Sequence, residues 1–371
     1  MKILIFYSTA GEGHKRVAEA IQEELQSKQG VASVRALDAF EKAGRLFQKG
    51  YPLVYFYLVK CVPKFWGALY EATDGIWSRT FLRPLRTFWN RSQSGLVRRF
   101  VQEEKPDMII STHFYAAEIF ASAKRRGEIQ TKLVTVVTDV IPHSFWINPG
   151  TDVYWVMAEE SKEELLRRGI PKSQIVVGGI PINQKFTRQE NREELLNRLG
   201  MRQSRFNILF SSGSFGIGPT EQWLKELEDY GKQIQVIVVC GLNGQLFDAL
   251  AKQKYTFPMI LTGFIHNMYE FMSVADVLIA KSGGATTCES LAKNLPMLIS
   301  APIPGQETRN AKWLVKNEAA IEIKFQGELK SLIQNILEDH SILERLKVNI
   351  KRIAKPNAAQ DLANFLIQSN S

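Results

Sequence analysis

Cysteine is scarce, with three in 371 residues, and Cys61, Cys240 and Cys288 lie far apart with no CxxC pair. That scarcity excludes a disulfide framework and a cysteine zinc site, and a reducing cytosol is the simplest compartment. Long apolar runs are missing as well. The longest candidate, Pro52 to Val59, stops at Lys60, far short of the roughly 20 residues that cross a bilayer. An integral membrane protein is therefore not expected. The chain opens on Lys2-Ile3-Leu4-Ile5-Phe6-Tyr7, which reads as a first strand rather than a targeting segment. Low-complexity tracts, short repeats, a P-loop GK[ST] and a GxGxxG fingerprint are all absent, so neither a P-loop nor a standard dinucleotide turn is indicated.

Acids are in short supply in one stretch. Between Glu41 and Phe100 stand eleven bases against the three acids Glu41, Glu71 and Asp74, which gives this stretch +8 of the chain's formal +9. The basic character is thus local. Overall composition, 45% hydrophobic and 23% charged, is that of an ordinary globular protein.

The length suits two domains. Short apolar runs alternate with amphipathic stretches, the pattern of βα units that build parallel sheets. Strands are expected at 2–8, 31–37, 107–111, 132–138, 153–156 and 174–177. After a hinge at Gly178-Gly179-Ile180-Pro181-Ile182 the pattern restarts, with strands expected at 207–211, 235–240, 259–261, 277–280, 296–299 and 320–323. The fold class is therefore α/β, two facing Rossmann-like domains. The boundaries fall at 1–180 and 181–350, and a helix in 351–371 is expected to cross back to the first domain. The strand pattern lapses at about 39–94, which reads as a helical insertion.

Three sets of loops carry chemistry. Ser8-Thr9-Ala10-Gly11-Glu12-Gly13-His14 is a glycine-rich turn between the first strand and a helix expected at Lys15 to Ser27. Gly11 and Gly13 let backbone approach a ligand, and His14 stands where a base or an acceptor ligand would, or simply begins a helix. Val137-Thr138-Asp139-Val140-Ile141-Pro142-His143-Ser144-Phe145-Trp146 follows a strand at the edge where α/β sheets bind ligands. Asp139, His143 and Trp146 are suited to orient an acceptor hydroxyl or a histidine, or to cap and pack the loop. His113 sits at the same edge with the same two readings.

The third set lies in the second half. Ser282, Gly283, Gly284, Ala285, Thr286 and Thr287 form a strand-to-helix turn suited to phosphate, with Glu289 one turn further on in reach of a ribose diol. Gln306 and Glu307 offer an amide and a carboxylate to sugar hydroxyls, and Ser212 and Gly213 add a second small-residue turn. Three convergent loops are harder to explain by packing than one.

The run Lys281 to Asn310, GGATTCE followed by PGQE, resembles the donor site of the family 28 glycosyltransferases. Within them the chain is similar to the diacylglycerol glycosyltransferases, the monogalactosyldiacylglycerol synthases and processive diacylglycerol glucosyltransferases. The N-terminal GxGH, the VTD-x₃-H-x₂-W segment, Gly179-Ile180-Pro181 and Gly263-Phe264 fit the same pattern in order. The resemblance implies a GT-B architecture and inverting transfer of a hexose from UDP-glucose or UDP-galactose to diacylglycerol or glycosyldiacylglycerol. It gives the ribose to Glu289, the diphosphate to Gly283 to Thr287, the hexose to Gln306 and Glu307, and uracil to the backbone at Phe264 and Ile265. His14 matches the histidine proposed in that family as base or acceptor ligand, and His14 and Asp139 are the expected catalytic residues. Ser-Gly-Gly-Ala replaces the glycine-proline-glycine turn usual in plant-type members, which leaves the hexose open.

The basic insertion then reads as a membrane patch. Aromatics such as Tyr55, Phe56 and Trp66 interleave with Arg79, Arg83, Arg86 and Arg91, a mixture that favours an anionic lipid surface over nucleic acid. A peripheral position on the cytoplasmic face of the membrane is expected. With no DxD pair near the phosphate turn, neither a cofactor nor a metal is expected. A transferase acting on a polyprenyl-linked sugar, a UDP-sugar 2-epimerase and a non-catalytic binder remain the alternatives.

Overall fold

A computed structural model describes residues 1–9, 11–41, 50, 54, 57–59, 61–75, 83–213, 216, 218–325 and 327–369, with backbone alone at 83–85. The chain forms two compact units. One comprises Met1–Gln184, Ile303–Asn310 and Asn357–Ser371, and the other Lys185–Pro302 and Ala311–Pro356.

The first unit is built on a parallel sheet in the order β2-β1-β3-β4-β5-β6. Its strands are β1 (Lys2–Tyr7), β2 (Ser33–Asp38), β3 (Met108–Ser111), β4 (Lys132–Val136), β5 (Val153–Val156) and β6 (Ile175–Val177). β1 and β3 to β5 are apolar and buried over nearly their whole length, as parallel strands covered on both faces must be. Helix α1 (Glu12–Gln26) turns Val17, Ala18, Ile21 and Leu25 into the core, a 3.6-residue stripe. It begins three residues before the expected start, because extended Gly11 caps it and Glu12 suits the positive end of its dipole. That shift puts His14 in the first turn.

Helices α2 (Pro63–Ala72) and α3 (Arg83–Gln93) lie in the described part of the expected insertion, and α4 (Gly95–Glu104) follows it. α5 (Phe114–Arg125) follows β3, and α6 (Glu159–Arg167) follows β5. Segment 178–182, expected as a hinge, lies in this unit, with Ile180 and Ile182 buried. Gly178 is required there, since a Cβ would stand 1.8 Å from Trp155 Cζ2.

The second unit has strand order β12-β11-β10-β7-β8-β9, again parallel throughout. α7 (Arg192–Arg198) precedes β7 (Phe206–Ser211), and α8 (Thr220–Glu226), β8 (Ile234–Val239), α9 (Gly244–Ala251) and β9 (Met259–Thr262) follow. Next come α10 (Met268–Val274), β10 (Val277–Ala280), α11 (Gly284–Ala292), β11 (Met297–Ser300), α12 (Gln306–Lys316) and β12 (Ala320–Ile323). α13 (Glu328–Glu338) and α14 (Ser341–Ile353) add Leu329, Ile333, Leu343 and Leu346 to the core of β7, β8 and β10. α15 (Ala358–Gln368) belongs to the first unit and packs on α1.

Candidate functional site

In the first sheet the order reverses between β1 and β3, because β1 is followed by β2 on one side while β3 lies on the other. Loops leaving the carboxyl ends of such neighbours part from each other and leave room for a ligand. The first turn of α1 and residues 112–114 stand at that place. His14 Nδ1 is 2.7 Å from the Thr112 carbonyl oxygen, which can only accept, so Nδ1 carries the proton and Nε2 the lone pair. Thr138 Oγ1 lies 3.2 Å from the same nitrogen. The Thr112 hydroxyl in turn donates to the His14 carbonyl at 3.0 Å. The ring is half-buried and meets His113 edge-on, with centroids 4.6 Å apart. Desolvation pushes its pKa down to about 4 against the opposing Thr112 bond. A neutral imidazole with an oriented Nε2 lone pair is the form a general base takes.

Asp139 stands at the end of the neighbouring strand β4. Its Oδ2 accepts from Trp146 Nε1 at 2.6 Å, and both side chains are buried. Oδ1 has no hydrogen-bond partner among the described residues. Burial raises the carboxyl pKa to about 6, although the Trp146 bond, the Arg309 charge and the Gln306 carboxamide all favour the anion. Gln306 does so without bonding geometry at Oδ1.

Three expected acceptor ligands have other work. His113 is buried and its Nδ1 accepts from Tyr115 N at 3.2 Å, capping α5. His143 is buried with both nitrogens engaged, Nδ1 accepting from Phe145 N at 3.2 Å and Nε2 donating to the Tyr70 carbonyl at 2.9 Å. Trp146, 1% exposed, orients Asp139 and presents no open ring face to a substrate. In each case the histidine or tryptophan that edge position suggested for a ligand is consumed by the loop's own polar groups.

Sequence reasoning missed a cluster that ties these loops together. Asp74 accepts two bonds from Arg168, at 2.7 and 2.9 Å, one from Arg309 Nη1 at 2.6 Å and one from Ser144 N at 2.7 Å. Its pKa is driven far below the ordinary carboxylate range by Arg168, His143 and Ser144, which together outweigh desolvation. Arg309 also forks onto Glu71 at 2.6 and 3.1 Å and lies over the Tyr70 ring, 5.2 Å from its centroid. These partners are 94 and 235 residues apart in the chain, and no spacing motif marks them.

Gln306 and Glu307, read as part of the second domain, fall with Ile303–Asn310 in the first unit. Glu307 Oε2 accepts from Ile303 N at 2.7 Å and closes the turn, while Asn310 Oδ1 accepts from Val140 N at 3.1 Å beside Asp139. Gly305, at φ +96, lies so close to Tyr70 that a Cβ would stand 2.6 Å from the ring.

In the second sheet Ile299, Ala280, Ser211, Val239 and Thr262 form one row across five strands. The loops that follow therefore leave a single edge. The order reverses between β10 and β7, and the turns there are the expected ones. A Cβ on Gly213 (φ +70) would lie 3.8 Å from Lys281 Cε, and Ser212 Oγ is 2.7 Å from Thr220 Oγ1. Gly283 caps α11, and Ser282, Gly284, Ala285 and Thr287 are buried beside half-buried Thr286. Thr287 Oγ1 is an unpaired buried hydroxyl among the described residues. Glu289 is 2% exposed, on the inner side of α11 rather than open to solvent. Phe264 is exposed and Ile265 half-buried at the end of β9. Ala301 holds φ 39 just after β11, a left-handed conformation unusual for alanine.

No helix among the described residues is long and apolar enough to cross a membrane. Three neighbouring helices nonetheless expose large apolar side chains. Phe65 and Leu69 of α2, with Val62 before it, are open to solvent, as are Phe88 and Trp89 of α3 and Leu96 of α4. Of the residues expected at a lipid surface, Tyr55, Phe56, Arg79 and the Arg83 side chain lie outside the described residues. Arg86 corrects that expectation. It pairs with buried Glu118 at 2.8 Å and lies over Phe145, 4.4 Å from the ring centroid, so it is committed inward. Trp66 is half-buried, 6.3 Å from Tyr70 by ring centroids, whereas Arg91 is exposed.

Two parallel α/β units with small-residue turns at their switch points constitute a GT-B architecture, the class of nucleotide-sugar glycosyltransferases. Residues 14–182 match the family described as Monogalactosyldiacylglycerol (MGDG) synthase, and residues 217–365 match the Glycosyltransferase family 28 C-terminal domain. The chain is thus a family 28 glycosyltransferase of the monogalactosyldiacylglycerol synthase kind, a UDP-sugar hexosyltransferase. Over 371 residues it is 26% identical to a processive diacylglycerol beta-glucosyltransferase of Bacillus pumilus, covering 100% of this chain and 95% of that one. Among solved structures, MurG of Acinetobacter baumannii superposes with a TM-score of 0.64 at 16% identity, covering 99% of each chain. The UDP-GlcNAc 2-epimerase of Neisseria meningitidis bound to UDP-GlcNAc gives 0.63 at 14% identity, covering 99% of this chain and 100% of that one. At such identities the two structures speak to the fold alone.

Proposed function

We propose that the protein transfers a hexose from a UDP-sugar to diacylglycerol, or to a glycosyldiacylglycerol, at the surface of a membrane, with inversion to a β-glycoside. The observation that carries this reading is His14, whose Nδ1 proton is held by the Thr112 carbonyl so that Nε2 is basic. It lies in the part of the chain that matches a diacylglycerol glycosyltransferase family, and the full-length relatives are named processive diacylglycerol beta-glucosyltransferases.

The acceptor hydroxyl oxygen attacks the anomeric carbon as His14 Nε2 takes its proton. The anomeric C–O bond to the diphosphate breaks, and UDP leaves with the electron pair. Asp139, two residues beyond Val137 and anionic above about pH 6, stabilises positive charge as it builds on the sugar or on His14. The α11 N-terminus and Thr287 Oγ1 receive the departing diphosphate, and Glu289 the ribose. Ser212, Gly213 and the Phe264–Ile265 backbone complete the nucleotide pocket, with Gln306 and Glu307 on the hexose. No metal is required on this reading, so activity should survive EDTA. The exposed apolar side chains of α2, α3 and α4 rest on the cytoplasmic membrane face beside the basic residues of the insertion.

The test is an assay of purified protein with UDP-glucose and UDP-galactose and a short-chain 1,2-diacylglycerol. Glycolipid and UDP should appear in equal amounts from at least one donor. Absence of both with either donor would overturn the reading.

A further inference from the structure

Outside the residues already given a role, one side chain combines deep burial with an unused polar atom. Tyr70, on the inner face of α2, is 7% exposed, and its hydroxyl has no hydrogen-bond partner among the described residues. Everything else about it is fixed. Its carbonyl accepts from His143 Nε2 at 2.9 Å, its ring lies 4.2 Å from the His143 ring by centroids, and Arg309 covers it at 5.2 Å. Gly305 presses on the ring edge, where any larger residue would collide. Leaving such a hydroxyl unsatisfied is costly, so a buried tyrosine normally finds a partner.

Asp139 Oδ1 is the complementary orphan, a buried acceptor with no hydrogen-bond partner among the described residues. The two groups feel one another's charge, since Asp139 contributes to raising the Tyr70 pKa. The same turn lies against both. Gly305 touches the Tyr70 ring, and the next residue, Gln306, brings its carboxamide to Asp139. A donor and an acceptor left open together match one chemical group, an alcohol hydroxyl, which accepts from one and donates to the other.

We propose that Tyr70 is a substrate-binding residue, its Oη donating to an alcohol hydroxyl of the substrate that in turn donates to Asp139 Oδ1. The hydroxyl belongs to the donor hexose, because Gln306, given to the hexose above, is the neighbour on that side. This rests on the reading of the chain as a hexosyltransferase and adds to it a contact from the insertion, an element otherwise assigned to the membrane.

Tyr70→Phe removes the oxygen and keeps the ring against His143, Gly305 and Arg309. Expected is a loss of about tenfold in kcat/KM, the size of one hydrogen bond, measured by varying UDP-hexose and short-chain diacylglycerol separately. A raised KM for UDP-hexose is the expected result, and a raised KM for diacylglycerol alone would overturn the assignment to the sugar. A fall in kcat alone places the contact in the transition state. Unliganded Tyr70→Phe should unfold at the wild-type temperature or slightly above. Wild-type kinetics for both substrates would overturn the proposal. So would a lowered unfolding temperature with unchanged kinetics, which would mean that Oη merely bonds Asp139. Wild-type protein that transfers no hexose would sink the functional reading instead, a separate and visible failure.

Discussion

Trp146 Nε1 donates to Asp139 Oδ2 across 2.6 Å in the protein interior. The bond favours the carboxylate, yet burial still raises the Asp139 pKa to about 6 from 3.8. If the anion is the active form, kcat/KM falls as pH drops through about 6. Trp146→Phe removes the bond and should move that limb to higher pH, with turnover at pH 6 falling more than at pH 8. Asp139→Asn should abolish the limb together with most of the activity. The stability sign runs the other way. A folded pKa above the unfolded value means that the folded protein binds the proton more tightly. Asp139 therefore costs stability above pH 6, and the cost is relieved between about 6 and 4. A pH–rate profile with an unmoved limb in Trp146→Phe would remove this tryptophan from the titration.

His14→Ala should lower turnover by about 10²–10⁴-fold, the usual size of a general-base effect. UDP affinity measured by calorimetry should barely change, because the nucleotide turns belong to the other unit. Since the pKa of His14 is lowered to about 4, the residue stays neutral across the ordinary range and contributes no acid limb near pH 6. Turnover within threefold of wild type would return His14 to a structural role.

The sheets were legible in the sequence because most strands are short, nearly continuous apolar runs between turns, and all twelve expected strands occur. His14 and the Gly283 turn were legible for a related reason. Both are local, a glycine turn between a strand and a helix. For His113, His143 and Trp146 the edge was legible, but not which of the two readings, ligand or loop support, each side chain takes; here they bond the loop's own groups. A loop at the end of a strand must satisfy its own amides, and the sequence does not say which side chains that consumes. Asp74, Arg168 and Arg309 were invisible because their contacts join three distant segments. Arg86 shows the limit of counting charges, for one base in the patch is neutralised by Glu118, 32 residues further along.

Asp74→Ala should destabilise the first unit by about 3–5 kcal/mol, the usual cost of removing one partner from a buried ion cluster. Arg168 and Arg309 would keep their charges in the interior without it, and Ser144 N would lose its acceptor. Urea unfolding is the measurement. Because the folded pKa of Asp74 lies below the unfolded 3.8, its stabilisation is complete above that value and lost as pH falls below it. Asp74→Ala should therefore narrow its deficit against wild type in strong acid. A constant deficit at every pH would assign the loss to packing rather than charge.

The exposed side chains of α2 and α3 give the membrane reading its sharpest test. Phe65 is 60% exposed, Leu69 40%, Phe88 71% and Trp89 58%, so replacing all four by serine removes apolar surface of which about half or more faces solvent. Burying such a side chain fully is worth about 1.5–3 kcal/mol. Partial insertion of four should still be felt as a loss of at least tenfold in binding to vesicles of phosphatidylglycerol and phosphatidylcholine. The unfolding temperature should hold, and so should activity on a short-chain acceptor dispersed in water. Arg86→Gln should behave in the opposite way. It leaves Glu118 short of its cation, lowers the unfolding temperature, and changes vesicle affinity little, because that guanidinium already faces inward. If the four-serine variant sediments with vesicles as wild type does while Arg86→Gln does not, the apolar faces are not what holds the protein to lipid, and Arg86 with the other bases of the insertion must do so.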